Sequence, residues 1–446
     1  MAHKRRAKAN YAPLSVSCLA SLIGAWPAHA GELASSQIMA PTSASSGGMG
    51  MDEIIITARK RSERLISVPV TVKAFSAEDV SRFKTDDLAR VAEMTPGVVI
   101  GVIKTQGGST IGVRGVSSSP AQVGFEQAVS VSIDGVQTSD GRISYLAFFD
   151  VERIEVLKGP QALFFGKNSP AGVISLVSAG PTSQFEASGK ATYEFVGDEV
   201  TLDGAVSGPL APGLGFRVAA RYRNLDGWLR NVARPLNNPF YNSSIPAAAS
   251  TVPGTSDTRP GSREVDGRLT LQYDDAGADF SATLKVAGIR ARDAGSGIAN
   301  QNIGPCVGSR PTLYGVEDPY GDCKPDNRTS NGDFNQYVSQ TFPRGNSSGR
   351  AFGKVDAIIS SLAINADLGS FHLASTTGFN SLKDKSQQGN DQTTFSQVTS
   401  MQEDDGTEIS QELRLRSDFD GSINFMVGSY YQDVKTDVYN LSLIHI

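Results

Sequence analysis

From about residue 185 to residue 440, apolar and polar side chains take turns along the chain. Phe216, Val218, Ala220 and Tyr222 alternate with Arg217, Ala219, Arg221 and Arg223, and Leu269, Leu271 and Tyr273 with Arg268, Thr270 and Gln272. Phe280, Ala282, Leu284 and Val286 alternate with Ser281, Thr283 and Lys285, and Leu413 and Leu415 with Glu412, Arg414 and Arg416. A period of two gives an extended strand one apolar and one polar face, and roughly nine such strands fit this stretch. Two architectures alternate in this way. One is a soluble β-sandwich; the other is a membrane barrel whose strands face lipid outside and a wet lumen inside.

Residues 60–180 read as one compact α+β domain. Val68 to Val72 is strand-like. Ser76 with Asp79 has the form of a capping box, and Thr85-Asp86-Asp87 opens a second helical stretch. Leu88, Val91 and Met94 give that stretch an apolar stripe, and Thr95-Pro96-Gly97 ends it. Strand-like runs follow at Val98–Ile103, Ile111–Val116 and Val129–Ile133, the last closed by a tight Asp134-Gly135 turn. Between Asp150 and Pro181 a charged strand, Glu152 to Lys158, runs into Gly159-Pro160, and an apolar strand, Gly172 to Ser178, follows. An α+β domain first, alternating strands after it and no long helix together favour the membrane barrel.

The ends of the chain change the charge balance. Lys4, Arg5, Arg6 and Lys8, an apolar run from Leu14 to Trp26 and Ala28-His29-Ala30 read as a cleaved export signal over residues 1–30. The apolar run is shorter than the ~20 residues a spanning helix needs. Loss of those four basic residues takes the formal net charge from −5 to −9, a poor balance for binding nucleic acid. Cys18 leaves with the signal. Cys306 and Cys323 remain and can close a loop of 16 intervening residues in an oxidising compartment, worth ~3 kcal/mol. Only His372 is left in the body of the mature chain, since His3 and His29 lie in the signal and His445 in the last residues. That argues against a His-based hydrolase or a zinc enzyme, and no catalytic set, cofactor site or metal site is expected. Gly166-Lys167-Asn168 lacks the Gly at 161 and the Ser or Thr at 168 that a phosphate loop requires.

Three motifs then fall in order. Thr110-Ile-Gly-Val-Arg114-Gly115-Val116 resembles the I-R-G strand of TonB-dependent outer-membrane receptors. Val131-Ser-Ile-Asp134-Gly135-Val136 resembles their V-D-G-V turn, and Phe149 to Pro160 their E-R-V-E-V-L-R-G-P segment, which closes the plug domain. Lys158, Ala162 and Ala171 stand where that pattern more often has Arg, Gly and Gly. Lys158 keeps the charge and loses the bidentate fork. The β-branched run Asp52-Glu53-Ile54-Ile55-Ile56-Thr57, within residues 52–59, resembles a TonB box, behind a Ser/Gly/Ala-rich linker at 31–51. The alternative for that run is an edge strand of the next domain.

The resemblance implies a small α+β plug domain (60–180) followed by an antiparallel transmembrane β-barrel, of which residues 185–440 are the N-terminal part. Roughly nine strands are under half of the 22 in plugged transporters, so the barrel is expected to be truncated here, with Leu441–Ile446 a non-native tail. The implied activity is active import of a scarce ligand across the Gram-negative outer membrane. An iron–siderophore complex is the leading cargo; a glycan, cobalamin or an aromatic compound, or a passive porin or adhesin, are the alternatives. Expected partners are the TonB energy-coupling protein at the box, by strand addition, outer-membrane lipid and the small-molecule ligand. Arg114, Glu152, Arg153, Glu155 and Lys158 are the expected ion pairs holding plug to barrel; Gly115, Asp134, Gly135, Gly159 and Pro160 are the expected plug turns. The long stretch 291–352, with Tyr314, Glu317, Asp318, Tyr320 and Asp322 between the cysteines, is an expected outward ligand-capture loop whose acidic residues are solvated.

Overall fold

The computed structural model describes residues 55–56, 63–64, 70–83, 87–102, 109–118, 127–138, 140–165, 169–244, 246–255, 258–274, 279–294, 301, 306–341 and 349–444. The expected signal, the linker, and Asp52, Glu53, Ile54 and Thr57 of the box lie outside the described residues, as do Gly166 to Asn168 and the final two residues.

The N-terminal domain is built on a five-stranded sheet. Its strands are β1 (Thr71–Ser76), β4 (Val129–Ile133), β5 (Val136–Thr138), β6 (Val151–Lys158) and β7 (Gly172–Ser178), in the order β1-β6-β7-β4-β5. The hairpin of β2 (Val98–Val102) and β3 (Ser109–Val113) extends through Val116–Ser117 into a separate small sheet. Strand β7 pairs antiparallel with β6 and parallel with β4, which makes the sheet mixed. Both its faces are covered, so β4 and β7 are almost wholly buried and read as apolar runs rather than as alternation.

Helix α1 (Ala77–Phe83) starts at a reciprocal capping box: Asp79 N–H donates to Ser76 Oγ at 3.1 Å and Ser76 N–H to Asp79 Oδ2 at 3.0 Å. Helix α2 (Leu88–Glu93) is capped by Asp87, whose carboxylate accepts from the Arg90 N–H at 2.7 Å. Its Leu88 and Val91 are fully buried. Two short helices carry no clear sequence pattern, α3 (Gly141–Leu146) and α4 (Ala162–Phe165). Strand β1 contains Thr71 and Val72 of the expected strand Val68–Val72, whose Val68 and Pro69 lie outside the described residues.

Nine long strands follow in one antiparallel meander, each paired with the next. They are β8 (Glu186–Glu194), β9 (Glu199–Ala211), β10 (Leu214–Leu225), β11 (Gly261–Asp274), β12 (Phe280–Ala294), β13 (Phe352–Asp367), β14 (Phe371–Gly389), β15 (Val398–Ser417) and β16 (Met426–Ile444). The meander is not closed on itself, and β8 and β16 are its edges. Strand β16 runs through the first residues of the expected tail, with Leu441 opposite Met401 and Ile444 opposite Val398. The predicted alternation is realised across this wall. Leu202, Val218, Val265, Leu269, Val286 and Ile358 stand exposed on the outward face, while Ala219, Ala287, Ile289, Val355, Ala357 and Ile359 are buried on the inward face. A row of exposed large apolar side chains of this extent is what a lipid-facing surface requires.

The wall's inward apolar residues belong to the same core as the plug's Phe75, Val131, Ile133, Ile154, Val156 and Ile174. Each such buried aliphatic side chain contributes about 1.5–3 kcal/mol on leaving water. The small domain is therefore lodged against the inside of the wall and is not a neighbour on a tether.

Candidate functional site: the plug–wall interface

Three polar clamps fasten the plug to the wall. The first holds residues 147–150, which lead into β6. Asp150, in the left-handed backbone region at φ 52°, accepts two bonds from Arg217 of β10, Nε to Oδ2 at 2.9 Å and Nη2 to Oδ1 at 2.5 Å. Arg221, on the same face of β10, donates to the Phe148 carbonyl at 3.0 Å. Arg268 of β11 donates to the carbonyls of Phe149 at 2.6 Å and Asp150 at 3.1 Å and lies 4.5 Å over the Phe149 ring. Two guanidinium groups, Arg221 and Arg268, thus bond carbonyls of this turn, and a third, Arg217, holds its carboxylate.

The second clamp is the Asp134-Gly135 turn. Both residues have positive φ, 49° and 86°, the pair a two-residue hairpin with matching twist needs. Asp134 accepts from Lys285 Nζ of β12 at 2.8 Å and from the Ser178 N–H at 2.9 Å, and Lys285 also donates to the Ser178 carbonyl at 2.7 Å. One lysine therefore pins the β4–β5 turn and the end of β7 together. Burial pushes the Asp134 carboxyl up, but Lys285 and Arg268 outweigh it and hold it below the ordinary carboxylate range.

The third clamp reverses the charges. Arg142 of α3, capped by Asp140, reaches between two carboxylates of the wall, Asp384 on β14 at 3.2 Å and Asp404 on β15. Burial lowers the Arg142 pKa, yet its three carboxylates outweigh that and raise it overall, so it stays charged. Close approach on this side depends on Gly378 of β14, where a Cβ would lie 2.3 Å from Val136 Cγ1.

The residues expected to pair plug with barrel sit elsewhere. Arg153 bonds Glu152 at 2.7 Å and the buried Glu155 at 3.0 Å, both on its own strand. Lys158 donates to the Pro96 carbonyl at 2.7 Å, and Arg114 to Thr71 Oγ1 at 3.3 Å. These contacts of Arg153, Lys158 and Arg114 lie within the plug. Arg114 is not in a strand either. It heads a turn with Gly115, φ 52° and 83°, and its N–H donates to the Gly97 carbonyl at 2.8 Å. Gly159, at φ 102°, ends β6 beside the exposed Pro160. Burial, then Arg114 and Lys73, lower the Lys158 pKa.

The clamp residues on the wall were visible in the sequence only as polar members of alternating strands. The signal for them is a charge at an inward position, where a lumen filled only with water demands none. Asp150 opens the E-R segment without any sign of its partner, and Arg142 carries no motif beyond a helix cap beside it.

At one end of the wall, the long connections pack against one another. Cys306 and Cys323 are joined as a disulfide. Asp318 corrects the expectation of solvated acidic residues: it is fully buried, because it accepts from Ser330 Oγ at 2.7 Å, Thr394 N–H at 2.9 Å, Thr394 Oγ1 at 2.7 Å and Tyr320 N–H at 3.0 Å. It joins the β12–β13 connection to the β14–β15 connection. Phe240 from the β10–β11 connection adds edge-on ring contacts to Tyr314 and Phe395. Among the described residues no cluster of three or more His, Cys, Asp or Glu could hold a metal ion.

An α+β domain clamped by buried ion pairs to the inner face of a lipid-faced β-wall defines a plugged β-barrel protein. Residues 64–173 match the family model of the TonB-dependent Receptor Plug Domain. Residues 64–173 thus form a plug domain of that family, as the motifs suggest, and an antiparallel β-wall follows it. It is 31% identical over 204 residues to the pesticin receptor of Yersinia pestis, a match covering 44% of this chain and 29% of that protein. It is 26% identical over 225 residues to the iron-regulated outer membrane virulence protein of Vibrio cholerae, covering 45% of this chain and 34% of that one. The chain spans about a third of the length of these relatives. Among solved structures, the ferric yersiniabactin uptake receptor FyuA from Yersinia pestis superposes with a TM-score of 0.61 at 18% identity, over 84% of this chain and 50% of that one. The siderophore receptor PiuA from Acinetobacter baumannii gives 0.58 at 18%, over 84% and 47%. These likenesses concern the fold.

Proposed function

We propose that this chain is the plug and part of the barrel of a receptor that actively imports an iron–siderophore complex across the outer membrane, driven by the TonB energy-coupling protein. The observation that carries the reading is the clamped plug. A passive porin or an adhesin has no use for a folded domain fixed in the lumen by Asp134–Lys285, Asp150–Arg217 and Arg142–Asp384. A gate that stays shut at rest and is pulled aside has. Buried pairs suit it, because breaking them one-sidedly is costly while exchanging them as a set is not.

Coupling is supported by Ile55–Ile56. These residues pair antiparallel with Glu63–Arg64 in a two-stranded sheet separate from the plug's five strands, so they do not form an edge strand of the plug sheet. A short strand ahead of the plug suits exchange onto another protein's sheet edge. The iron–siderophore cargo rests on the likeness to a ferric yersiniabactin uptake receptor and a siderophore receptor; a glycan, cobalamin or aromatic cargo is the alternative. Outer-membrane placement rests on the exposed apolar face of the wall.

Replacing Ile55 with Pro removes a backbone donor from that strand. The expected result is loss of ferric-siderophore uptake with unchanged surface display. Unchanged uptake would return the reading to a passive pore. Dependence on Ile55 for cobalamin or glycan growth, and not for iron, would keep the transport class and change the cargo.

A further inference from the structure

Arg142 faces more carboxylate than one guanidinium neutralises. Asp384 on β14 and Asp404 on β15 stand directly opposite each other across the strand pair, and Asp140 accepts from the same side chain at 2.6 Å. Three carboxylates against one cation leave two negative charges over, and both wall carboxylates are almost wholly buried. Like charges directly opposite on neighbouring strands destabilise a sheet. Arg142 bridges this pair on one side only. It takes Oδ2 of each, and Gln402 Nε2 adds a second donor to Asp404 Oδ2 at 2.5 Å. The Oδ1 atoms of Asp384 and Asp404 are buried without any hydrogen-bond partner.

A neutral side chain makes the same point independently. Ser386 lies two residues along β14 from Asp384, so it shares the inward face; it is 1% exposed, and its Oγ also has no partner. Lys383 and Lys385 fall on the opposite face by the same alternation. Among the described residues, no donor therefore reaches three buried oxygens that stand around a surplus of negative charge. Burying carboxylate oxygens in that condition is costly unless a cation meets them. The chemistry of the donors says which kind. All are hard oxygens, with no imidazole or thiolate among them, and two charges remain to be balanced. Carboxylates fixed by two strands and one hydroxyl suit the loose oxygen shell of calcium better than the strict octahedron of magnesium.

We propose that Asp384, Asp404 and Ser386 form a site for a calcium-sized divalent cation, bound on the Oδ1 side of the carboxylates while Arg142 keeps Oδ2. Water would complete the shell, since only two of the protein ligands are carboxylates. The cation would tie β14 to β15 at the third clamp, so the hold of α3 on this part of the wall would depend on it. The proposal rests on the plug–wall geometry and not on the cargo or the energy coupling.

The test uses the protein purified in neutral detergent, treated with a chelator and titrated with calcium chloride, or with magnesium or sodium chloride at equal ionic strength. Binding is read by calorimetry and stability by thermal melting. Two carboxylates place the expected dissociation constant at about 10⁻⁴–10⁻³ M, so about 10 mM calcium should raise the melting temperature by a few degrees. D404N should bind calcium at least ~10-fold more weakly, because it removes half of the ligand charge. S386A leaves Arg142 and both carboxylates in place; it should melt like the parent in chelator and still bind calcium more weakly. Calcium affinity unchanged in S386A and D404N would overturn the proposal, and if D404N does not fold, unchanged affinity in S386A alone would do so. Equal stabilisation by sodium would overturn the divalent class. A melting temperature that ignores calcium and rises from pH 7.5 to pH 5.5 would assign the charge balance to a proton and overturn the site.

Discussion

Replacing Lys285 with Met should loosen the plug by an amount the structure sets. Lys285 and Asp134 have side chains only 12% and 8% exposed, and Nζ serves both the carboxylate and the Ser178 carbonyl. Removing one member of a buried pair costs about 3–5 kcal/mol, because the other charge is stranded. Asp134 keeps both the N–H and the hydroxyl of Ser178, and Arg268 still acts on it, so the lower end, ~3 kcal/mol, applies. That corresponds to an increase on the order of 100-fold in the open fraction at this turn. Hydrogen exchange at the Ser178 amide, which donates to Asp134, reads it directly. The pH dependence gives a second check. With Lys285 present the folded Asp134 pKa is depressed, so its contribution is complete above the ordinary carboxylate range and is lost only as pH falls through the lowered value. Without Lys285, burial is the dominant remaining cause and the carboxyl escapes it by taking a proton. The variant's deficit relative to the parent should therefore be greatest at neutral pH and shrink toward pH 5. Asp134→Asn added to Lys285→Met should restore most of the protection. Equal protection in parent and single variant at pH 7.5, or a deficit that does not change with pH, would refute the argument.

Gly378→Val should drive β5 off the wall, since its first added carbon already meets Val136 at 2.3 Å and Ser410 Oγ at 2.7 Å; overpacking of this kind costs about 1–3 kcal/mol and should lower the melting temperature while the far clamp at Asp150 keeps its exchange protection. Asp318→Ala should leave the Thr394 and Tyr320 N–H groups and the Ser330 hydroxyl without their acceptor, at about 1–3 kcal/mol for each buried group left unsatisfied. Limited proteolysis should then cut within residues 306–341 at least tenfold faster with plug exchange unchanged; equal cleavage would show that the loop layer does not depend on this carboxylate.

The wall was legible because alternation is a local property: each strand's own sequence shows its two faces, and Phe216–Arg223 and Phe280–Val286 needed no partner to be read. The plug sheet was harder. Strands β4 and β7 are buried on both faces and show no alternation, and only the turns at Asp134-Gly135 and Gly159 and the capping box at Ser76 marked their limits. Helices α3 and α4 are too short to carry a period. The clamps could not be read at all from local pattern. Asp150 with Arg217, Asp134 with Lys285 and Arg142 with Asp384 are 67, 151 and 242 residues apart, and nothing in either partner's neighbourhood names the other. The motif charges attracted attention for the opposite reason. Arg153 and Glu155 lie two residues apart on one strand face, which is why they bond each other.

The distribution of clamp charges has a consequence for assembly. On β10, β11 and β12 the wall offers cations, Arg217, Arg221, Arg268 and Lys285, and the plug answers with the Asp134 and Asp150 carboxylates and the carbonyls of residues 148–150. On β14 and β15 the wall offers Asp384 and Asp404, and the plug answers with Arg142. A plug rotated within the lumen would bring Arg142 toward Lys285, or Asp134 toward Asp384, burying like charges with no water to screen them. The aliphatic core shared by plug and wall carries no such discrimination, because one aliphatic surface replaces another at little cost. The core therefore holds the plug in the lumen, and the sign-segregated clamps decide which way it faces.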